Sequence, residues 1–264
     1  MAHWLHETTA ETTAVTLAVA PAGAPAGDAW LAPALRGLGL CALGAALTTL
    51  VNTVLPNFYR AEDFDGRAAL IHDPYYAARQ WVLLVHPGFT LLAAIGTALA
   101  LRRRAPGRAA SGLAFASVEK MTEFLLGVSI LFVVNGVWKA GYLAQRGTPA
   151  AALLRARIDG FTDLLGGAYF LLWAMFILST GLFASAIDRR DRISRGVVLT
   201  GGVTIALTVC LILGRYAGQQ AWTGPLITWT YPPALTLHRA LVGLWLMREG
   251  RRLLPPASPV RRAA

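Results

Sequence analysis

Four ionisable side chains lie inside apolar segments of the sequence and have the types that acid–base chemistry needs. Glu119 and Glu123 are four residues apart, so on a helix they share one face. His238 and Arg239 are adjacent in the last apolar segment. A carboxyl group in apolar surroundings favours its protonated form and can serve as a general acid, while histidine is the commonest general base. We therefore predict catalytic roles for Glu119, Glu123 and His238, and substrate binding by Arg239.

A second group of polar residues is predicted nearer the other end of the same helices. Lys139 and Asn135 lie near the end of the third apolar segment, and Asp159 and Asp163, again four apart, open the fourth. A short connection makes these two helices antiparallel neighbours, so we expect Lys139 to meet Asp163, with His86 joining them. Asp163 is predicted to be catalytic. Lys139, Asp159, His86 and Asn135 are predicted to bind the substrate.

Each of these charges needs a partner or a purpose, because an ionisable side chain inside a membrane is costly unless it is paired or hydrated. One interpretation is an ion pair between helices that fixes their register, with Arg239 pairing with Glu119 or Glu123. The other is a hydrated cavity that acts on a ligand. The two pairs of carboxylates outnumber the nearby bases, and this excess of acids favours the cavity.

The elements that position these residues are predicted to be membrane-spanning helices. The chain has 264 residues, of which 55% are hydrophobic and only 14% are charged, against roughly 25% charged residues in soluble domains. This composition excludes a disordered chain and disfavours a soluble enzyme. We predict an all-α, polytopic membrane helix bundle with six transmembrane helices, because six apolar segments are long enough to cross a bilayer. They are about 31–55, 81–101, 113–143, 160–187, 196–214 and 225–247.

The distribution of arginine predicts the orientation of the chain. The net charge is +10, and arginines at helix ends account for it, so we predict no nucleic-acid partner. With both termini in the cytoplasm, the cytoplasmic segments hold thirteen arginines and the outer segments seven. A composition rich in Ala, Gly, Leu and Arg is typical of a GC-rich bacterial genome. We therefore expect a bacterial inner-membrane protein surrounded by membrane lipids.

The ends of the chain are predicted to lie outside the bundle. Residues 1–30 contain no Lys or Arg, so we predict a disordered tail there, a transmembrane domain over 31–250 and a basic cytoplasmic tail over 251–264. The long outer connection 56–80 is rich in aromatic residues, which would either fold it onto the bundle or leave it as a solvated loop. The two cysteines lack a CxxC pattern, so no metal site is predicted.

Three classes of function fit these features. The first is binding of a lipophilic small molecule in the polar cavity, with acid–base chemistry on it. The second is a redox protein with one haem b, because the surroundings of His86 and His238 resemble helices of b561-type cytochromes. A full-length sixth helix would place these histidines at different depths, so joint ligation of one haem requires a sixth span that begins at Pro232. The third is a non-catalytic accessory or sensor protein, for which Gly37, Cys41 and Gly44 would offer a small-residue stripe to a partner helix.

The layout of the segments resembles a broad group of bacterial six-helix integral membrane proteins of unknown function. The likeness rests on an acid-bearing third helix after an arginine-rich loop (LRRRAPGRAASGLAFASVEKMTEF). It also rests on a small-residue fourth helix before a basic turn (GGAYFLLWAMFILSTGLFASAIDRRDR) and on a last helix that ends GLWLMREGRR. It covers about residues 30–252. The resemblance implies a bacterial inner-membrane protein and assigns no activity.

Overall fold

The computed structural model of the protein describes residues 30–218 and 223–254. The all-α prediction is confirmed, since these ranges contain helices and no strand. Five helical segments of the described chain are long and apolar enough to cross a membrane, as expected of a membrane protein. The predicted N-terminal tail as far as residue 29, and the predicted basic tail from residue 255, lie outside the described residues.

The helices extend beyond the apolar segments that predict them. In chain order they are α1 (Leu31–Val54) with a 3-10 extension (Leu55–Phe58), α2 (Phe64–Ala69) with a 3-10 turn (Leu70–His72), α3 (Pro74–Leu101), α4 (Pro106–Val128) continued by a π-helix (Ser129–Lys139) and α5 (Ala140–Ala144), α6 (Pro149–Ala186), α7 (Arg192–Tyr216), α8 (Thr223–Pro225) with a π-helical turn (Leu226–Thr230), and α9 (Tyr231–Arg252). The five long apolar segments are Leu31–Phe58, Pro74–Leu101, Pro106–Ala144, Pro149–Ala186 and Arg192–Tyr216. α9, with 22 residues, is not among these five. Its charged side chains are Arg239, Arg248, Glu249, Arg251 and Arg252.

Capping residues set the helix starts. The Asp73 side chain accepts hydrogen bonds from two backbone N–H groups of α3, and Pro74 occupies the first helical position, where its missing N–H needs no partner. Thr148 caps α6 in the same way, ahead of Pro149. α3 therefore begins seven residues before the predicted start at 81, and α6 begins eleven residues before the predicted start at 160.

The long helices form a closed ring in chain order. Each packs mainly on the helices before and after it, and α9 closes the ring by packing along α1. One end of the ring is sealed by a hydrophobic cluster, called here the end cluster, to which the starts of α1, α4 and α7 and the ends of α3, α6 and α9 contribute. Neighbouring helices therefore alternate in direction. Buried members of the end cluster are Leu31, Leu35, Ala98, Leu101, Ala109, Ala186, Ile187, Val197, Trp245 and Leu246.

Glycines let α1 and α9 approach closely. A Cβ atom added at Gly39 would lie 2.8 Å from the carbonyl oxygen of Gly243, and one added at Gly243 would lie 2.8 Å from that of Gly39. Gly250 meets the carbonyl oxygen of Ala32 at the same distance. Small residues bring membrane helices together in this way. The contact does not use Gly37 of the predicted stripe, where an added Cβ would meet no atom within 4 Å.

The outer connection folds onto the bundle. Phe64 of α2 packs edge-to-face on Tyr142, with the ring centroids 4.9 Å apart. Asp65 accepts a hydrogen bond from the Tyr142 hydroxyl and pairs with Arg146. These two contacts hold the pKa of the Asp65 carboxyl below its usual 3.8. Of the two alternatives that the sequence allows, the structure therefore has α2 anchored against the end of the third long helix.

Asp191 is expected to stabilise the end of the bundle that carries the end cluster. Its side chain accepts a hydrogen bond from the backbone N–H of Ser194 and forms ion pairs with Arg248 and Arg252 of α9. The Arg248 hydrogen bond holds the pKa of Asp191 well below its usual 3.8. Asp191→Asn keeps the helix cap but loses both ion pairs, and we expect it to lower the free energy of unfolding by about 1 kcal/mol at neutral pH. Asp191→Ala also loses the cap, for a total of about 2 kcal/mol.

The pH dependence of this stabilisation has a defined sign. Because the folded-state pKa is depressed, the stabilisation is complete above the usual pKa of 3.8 and is lost as the pH falls through the folded-state pKa. Thermal unfolding between about pH 7 and pH 3 should therefore show a steeper loss of stability for the wild type than for Asp191→Asn. Asp159→Asn, which removes an exposed pair within α6, is the control. Equal effects of Asp159→Asn and Asp191→Asn would contradict this role.

Candidate functional site

An ion cluster lies inside the ring on the third long helix. Lys120 Nζ is 2.5 Å from Glu119 Oε1 and 2.9 Å from Glu123 Oε2. The Glu119 and Lys120 side chains are 7% and 8% exposed, and the Glu123 side chain is 25% exposed. All three residues belong to α4, so their ion pairs do not link two helices.

Arg239 completes the cluster from α9. Its guanidinium donates a hydrogen bond to the Thr49 hydroxyl of α1 and lies close enough to Glu119 and Glu123 to interact with both electrostatically. The predicted pairing of Arg239 with one of these carboxylates is wrong, because Lys120 holds both from the same helix. Two carboxylates and two cations give the cluster no net formal charge. This balance corrects the expected excess of acids in this group.

Two chambers meet at the ion cluster. The inner chamber has a cavity volume of about 90 Å³ and the outer chamber about 240 Å³. Their walls share Glu119, Lys120, Phe176 and Arg239. Among the long helices, α1, α3, α4, α6 and α9 contribute to both walls. The charged groups therefore lie at the junction of the chambers, inside the ring.

The inner chamber has mostly apolar walls. Its hydroxyl groups include three that donate to carbonyls of their own helices. His238 forms part of the wall, next to Arg239. A smaller cavity continues past His238 to Val197, and the end cluster closes the bundle beyond it. The lining alanines are Ala42, Ala45, Ala93, Ala94 and Ala116.

The outer chamber has polar and aromatic walls. Tyr169, Trp173 and Tyr231 line it together with Glu123. Asn52 also lines it, but its Oδ1 is enclosed in the wall. Glu123 uses one carboxylate oxygen on Lys120, and its other oxygen can accept a hydrogen bond. The chamber therefore offers an acceptor that a ligand can use.

His86 lines the outer chamber and does not join the predicted cluster with Lys139 and Asp163. It lies twelve residues into α3, about 18 Å from the helix start, because α3 begins at Pro74. His238 lines the inner chamber instead. The two histidines thus face different cavities, and this geometry does not support one haem iron bound by both.

Threonines hold both histidines in the same way. The Thr48 hydroxyl lies 2.6 Å from His86 Nδ1, and the Thr200 hydroxyl lies 3.1 Å from His238 Nδ1. Each hydroxyl also donates to the carbonyl four residues earlier in its own helix, at 3.0 and 2.8 Å. Since a hydroxyl has one proton, it accepts its second bond from the ring. Each neutral histidine is therefore assigned a proton on Nδ1, which leaves Nε2 as an acceptor.

Nitrogen-15 NMR of histidine-labelled protein tests this assignment. We expect Nδ1–H tautomers for His86 and His238, because both rings donate to a threonine. Thr48→Val should change the His86 signal and leave the His238 signal unchanged. Thr53→Val is the matched control, because Thr53 lines the same chamber and bonds only to its own helix among the described residues. Nε2–H tautomers for both histidines in the wild type would contradict the assignment.

Threonines of α7 contact residues that line the two chambers. Thr200, Thr204 and Thr208 follow one another at four-residue spacing, so they share one helix face. Thr208 lies 3.4 Å from the Tyr231 hydroxyl, and Thr200 contacts His238. These supporting residues are not among the predicted site residues. The regular threonine spacing in an apolar helix is the pattern that indicates them.

The predicted outer cluster forms in part. The Tyr76 hydroxyl lies 3.1 Å from Lys139 Nζ and donates to Asn135 Oδ1 at 3.1 Å, so Lys139 and Asn135 do come together. The expected contact of Lys139 with Asp163 is wrong, since Asp163 is exposed on α6. Asp159 is also exposed, and it forms an ion pair with Arg155 of the same helix. Lys139 belongs to a π-helical stretch, whose wider turn changes the direction of its side chain.

Neither a group of metal ligands among the described residues nor a similar known protein assigns a chemistry to these chambers. In residues 30–218 and 223–254, no group of three or more His, Cys, Asp or Glu is placed to hold a metal ion. No family model, curated protein or solved structure matches the chain. The resemblance to bacterial six-helix membrane proteins stays a prediction.

Proposed function

We propose that the protein is an integral membrane protein that binds a lipophilic small molecule in the two chambers. Glu119, Glu123 and His238 are the groups for proton transfer to or from that molecule, and Arg239 and His86 help to bind it. The observation that carries the proposal is the ion cluster at the junction of the chambers. Apolar pockets with a few converging polar groups are typical of small-molecule sites.

The ion cluster is not explained as a lock between helices. Lys120 pairs with two residues of its own helix, so these pairs cannot fix the register of α4 against its neighbours. Arg239 does reach other helices, by a hydrogen bond to the Thr49 hydroxyl of α1 and by an electrostatic interaction with the carboxylates of α4, but it forms no ion pair with a described residue. Ionisable groups that are costly in a membrane and whose ion pairs do not join helices mark a substrate pathway or site.

We also propose that α9 is the sixth span and that both chain termini are cytoplasmic. α9 packs along α1 and α7 in the ring, and its Arg239 lines the chambers. The arginine-rich connections lie at the end of the ring that the end cluster closes. By the positive-inside rule this end is cytoplasmic. The outer chamber then lies toward the opposite face of a bacterial inner membrane.

Native mass spectrometry of the protein released from nanodiscs tests the binding proposal. We expect the wild type to retain a lipophilic molecule that the bulk nanodisc lipid does not explain. Ala94→Leu adds bulk to the wall of the inner chamber and should lower the retained fraction severalfold. Ala114→Leu is the matched control on the exposed face of α4 and should retain the molecule like the wild type.

Two results would contradict the binding proposal. One is a wild type that carries no molecule beyond bulk lipid. The other is equal retention by the wild type and by Ala94→Leu, provided that Ala94→Leu and Ala114→Leu unfold at the same temperature as the wild type. The retained molecule would then not depend on the inner chamber.

A further inference from the structure

We propose that the ligand is a lipophilic alcohol, a molecule without net charge whose hydroxyl group sits at the junction of the two chambers. This inference rests on the proposed binding function and names the class of the ligand. Three properties of the junction lead to it: its balanced charge, its unused hydrogen-bonding groups, and the apolar walls on either side.

The balance of charge disfavours an ionised ligand. Lys120 and Arg239 offset Glu119 and Glu123, and all four lie at or beside the wall that the chambers share. A ligand with a carboxylate, phosphate or ammonium group would bring a charge that nothing in the cluster offsets. An uncompensated charge at membrane depth is costly. A neutral polar group avoids that cost.

The hydrogen-bonding groups at the junction favour a ligand that both accepts and donates a hydrogen bond. Lys120 has three N–H donors and uses two of them on the carboxylates. Its third donor can serve a ligand oxygen. Glu123 lines the outer chamber and, among the described residues, uses only one carboxylate oxygen, on Lys120, so its other oxygen can accept a ligand O–H. A hydroxyl group satisfies both, whereas a ketone or an ether cannot donate.

The walls beside the junction suit the apolar part of such a molecule. The inner chamber is narrow and lined by alanines, so it takes a slender alkyl group. The outer chamber is wider and offers the faces of Tyr169 and Trp173. The end cluster blocks passage beyond the inner chamber. A chamber closed by the end cluster on that side is suited to holding a molecule rather than to conducting one.

A set of four matched probes tests the inference. Decanol, decanoic acid, decylamine and decyl methyl ether share one chain and differ only in the head group. Each is titrated at neutral pH into the protein in phosphatidylcholine nanodiscs, and an apparent Kd is taken from the rise in unfolding temperature. For the wild type we expect decanol to bind about tenfold more tightly than the acid or the amine.

Variants that change the charge of the cluster should reverse this preference. Glu123→Gln makes the cluster positive and should move the preference toward decanoic acid. Arg239→Gln makes it negative and should move the preference toward decylamine. Because each probe is compared with itself across variants, differences in membrane partitioning cancel. In the wild type, decanol should also bind more tightly than its ether, which cannot donate a hydrogen bond to the Glu123 carboxylate.

The outcomes separate this inference from the proposed function. The tightest wild-type binding by the acid or the amine, with no change in preference among the charge variants, overturns the alcohol assignment and leaves the binding function in place. If none of the four probes changes the unfolding temperature of the wild type or of any variant, both proposals are overturned. A preference that follows the cluster charge supports both.

Discussion

Lys120→Met is expected to lower the free energy of unfolding by about 3–5 kcal/mol, because it breaks a buried charge cluster on one side only. Lys120 is 8% exposed and holds two carboxylates. Methionine nearly fills the same space without a charge, so Glu119 and Glu123 lose their cation and stay where they are. Removing one partner of a buried pair costs more than the intact pair contributes. Unfolding by graded denaturing detergent measures the change.

Lys139→Met is the matched control, since the chain has only these two lysines. Lys139 contacts the ring and the hydroxyl of Tyr76. We therefore expect Lys139→Met to lower the free energy of unfolding by only about 1 kcal/mol. Lys120→Met combined with Glu119→Gln should recover part of the loss, because one unpaired carboxylate is removed. Equal losses for the two lysines, or no recovery in the double variant, would contradict the cluster.

Gly39→Ala is expected to destabilise the bundle by about 1–3 kcal/mol through overpacking of α1 against α9. The added methyl group would lie 2.7 Å from Met247 Cγ and 2.8 Å from the Gly243 carbonyl oxygen. The methionine side chain can move, but the backbone oxygen moves only if α9 shifts. A shift of α9 would also move Arg239 relative to α4. Thermal unfolding in detergent gives the stability.

Gly37→Ala supplies the control two residues away on the same helix. An added Cβ at Gly37 meets no atom within 4 Å, and alanine favours the helix over glycine. Gly37→Ala should therefore be neutral or slightly stabilising. Similar destabilisation by both substitutions would mean that the close contact of α1 with α9 is not what Gly39 provides.

The local properties of the chain predict most of this architecture. Long apolar stretches predict the helices, because a span is set by length and composition. Counting residues from helix ends also brings Glu119, His238 and Arg239 to one depth, and the structure places all three around the inner chamber. Depth can be predicted from the sequence because the rise per residue is constant.

The direction of side chains around the helices is what the sequence does not determine. The depth of Arg239 predicts a carboxylate partner, but Lys120 is nearer to both carboxylates along α4. The prediction that His86 joins Lys139 is wrong because the cap at Asp73 starts α3 earlier than its apolar stretch does. The predicted contact of Asp163 with Lys139 requires a regular α-helix where the chain forms a π-helix. Each error depends on neighbours or on local backbone geometry.

Photocrosslinking with an alkyl diazirine in nanodiscs tests the central claim that the chambers bind a lipophilic molecule. We predict labelled peptides that carry chamber-wall residues such as Trp173 and Leu235, and we predict that the molecule that co-purifies with the protein reduces this labelling. Labelling confined to exposed lipid-facing residues such as Leu47 and Leu199, without competition, would contradict the claim.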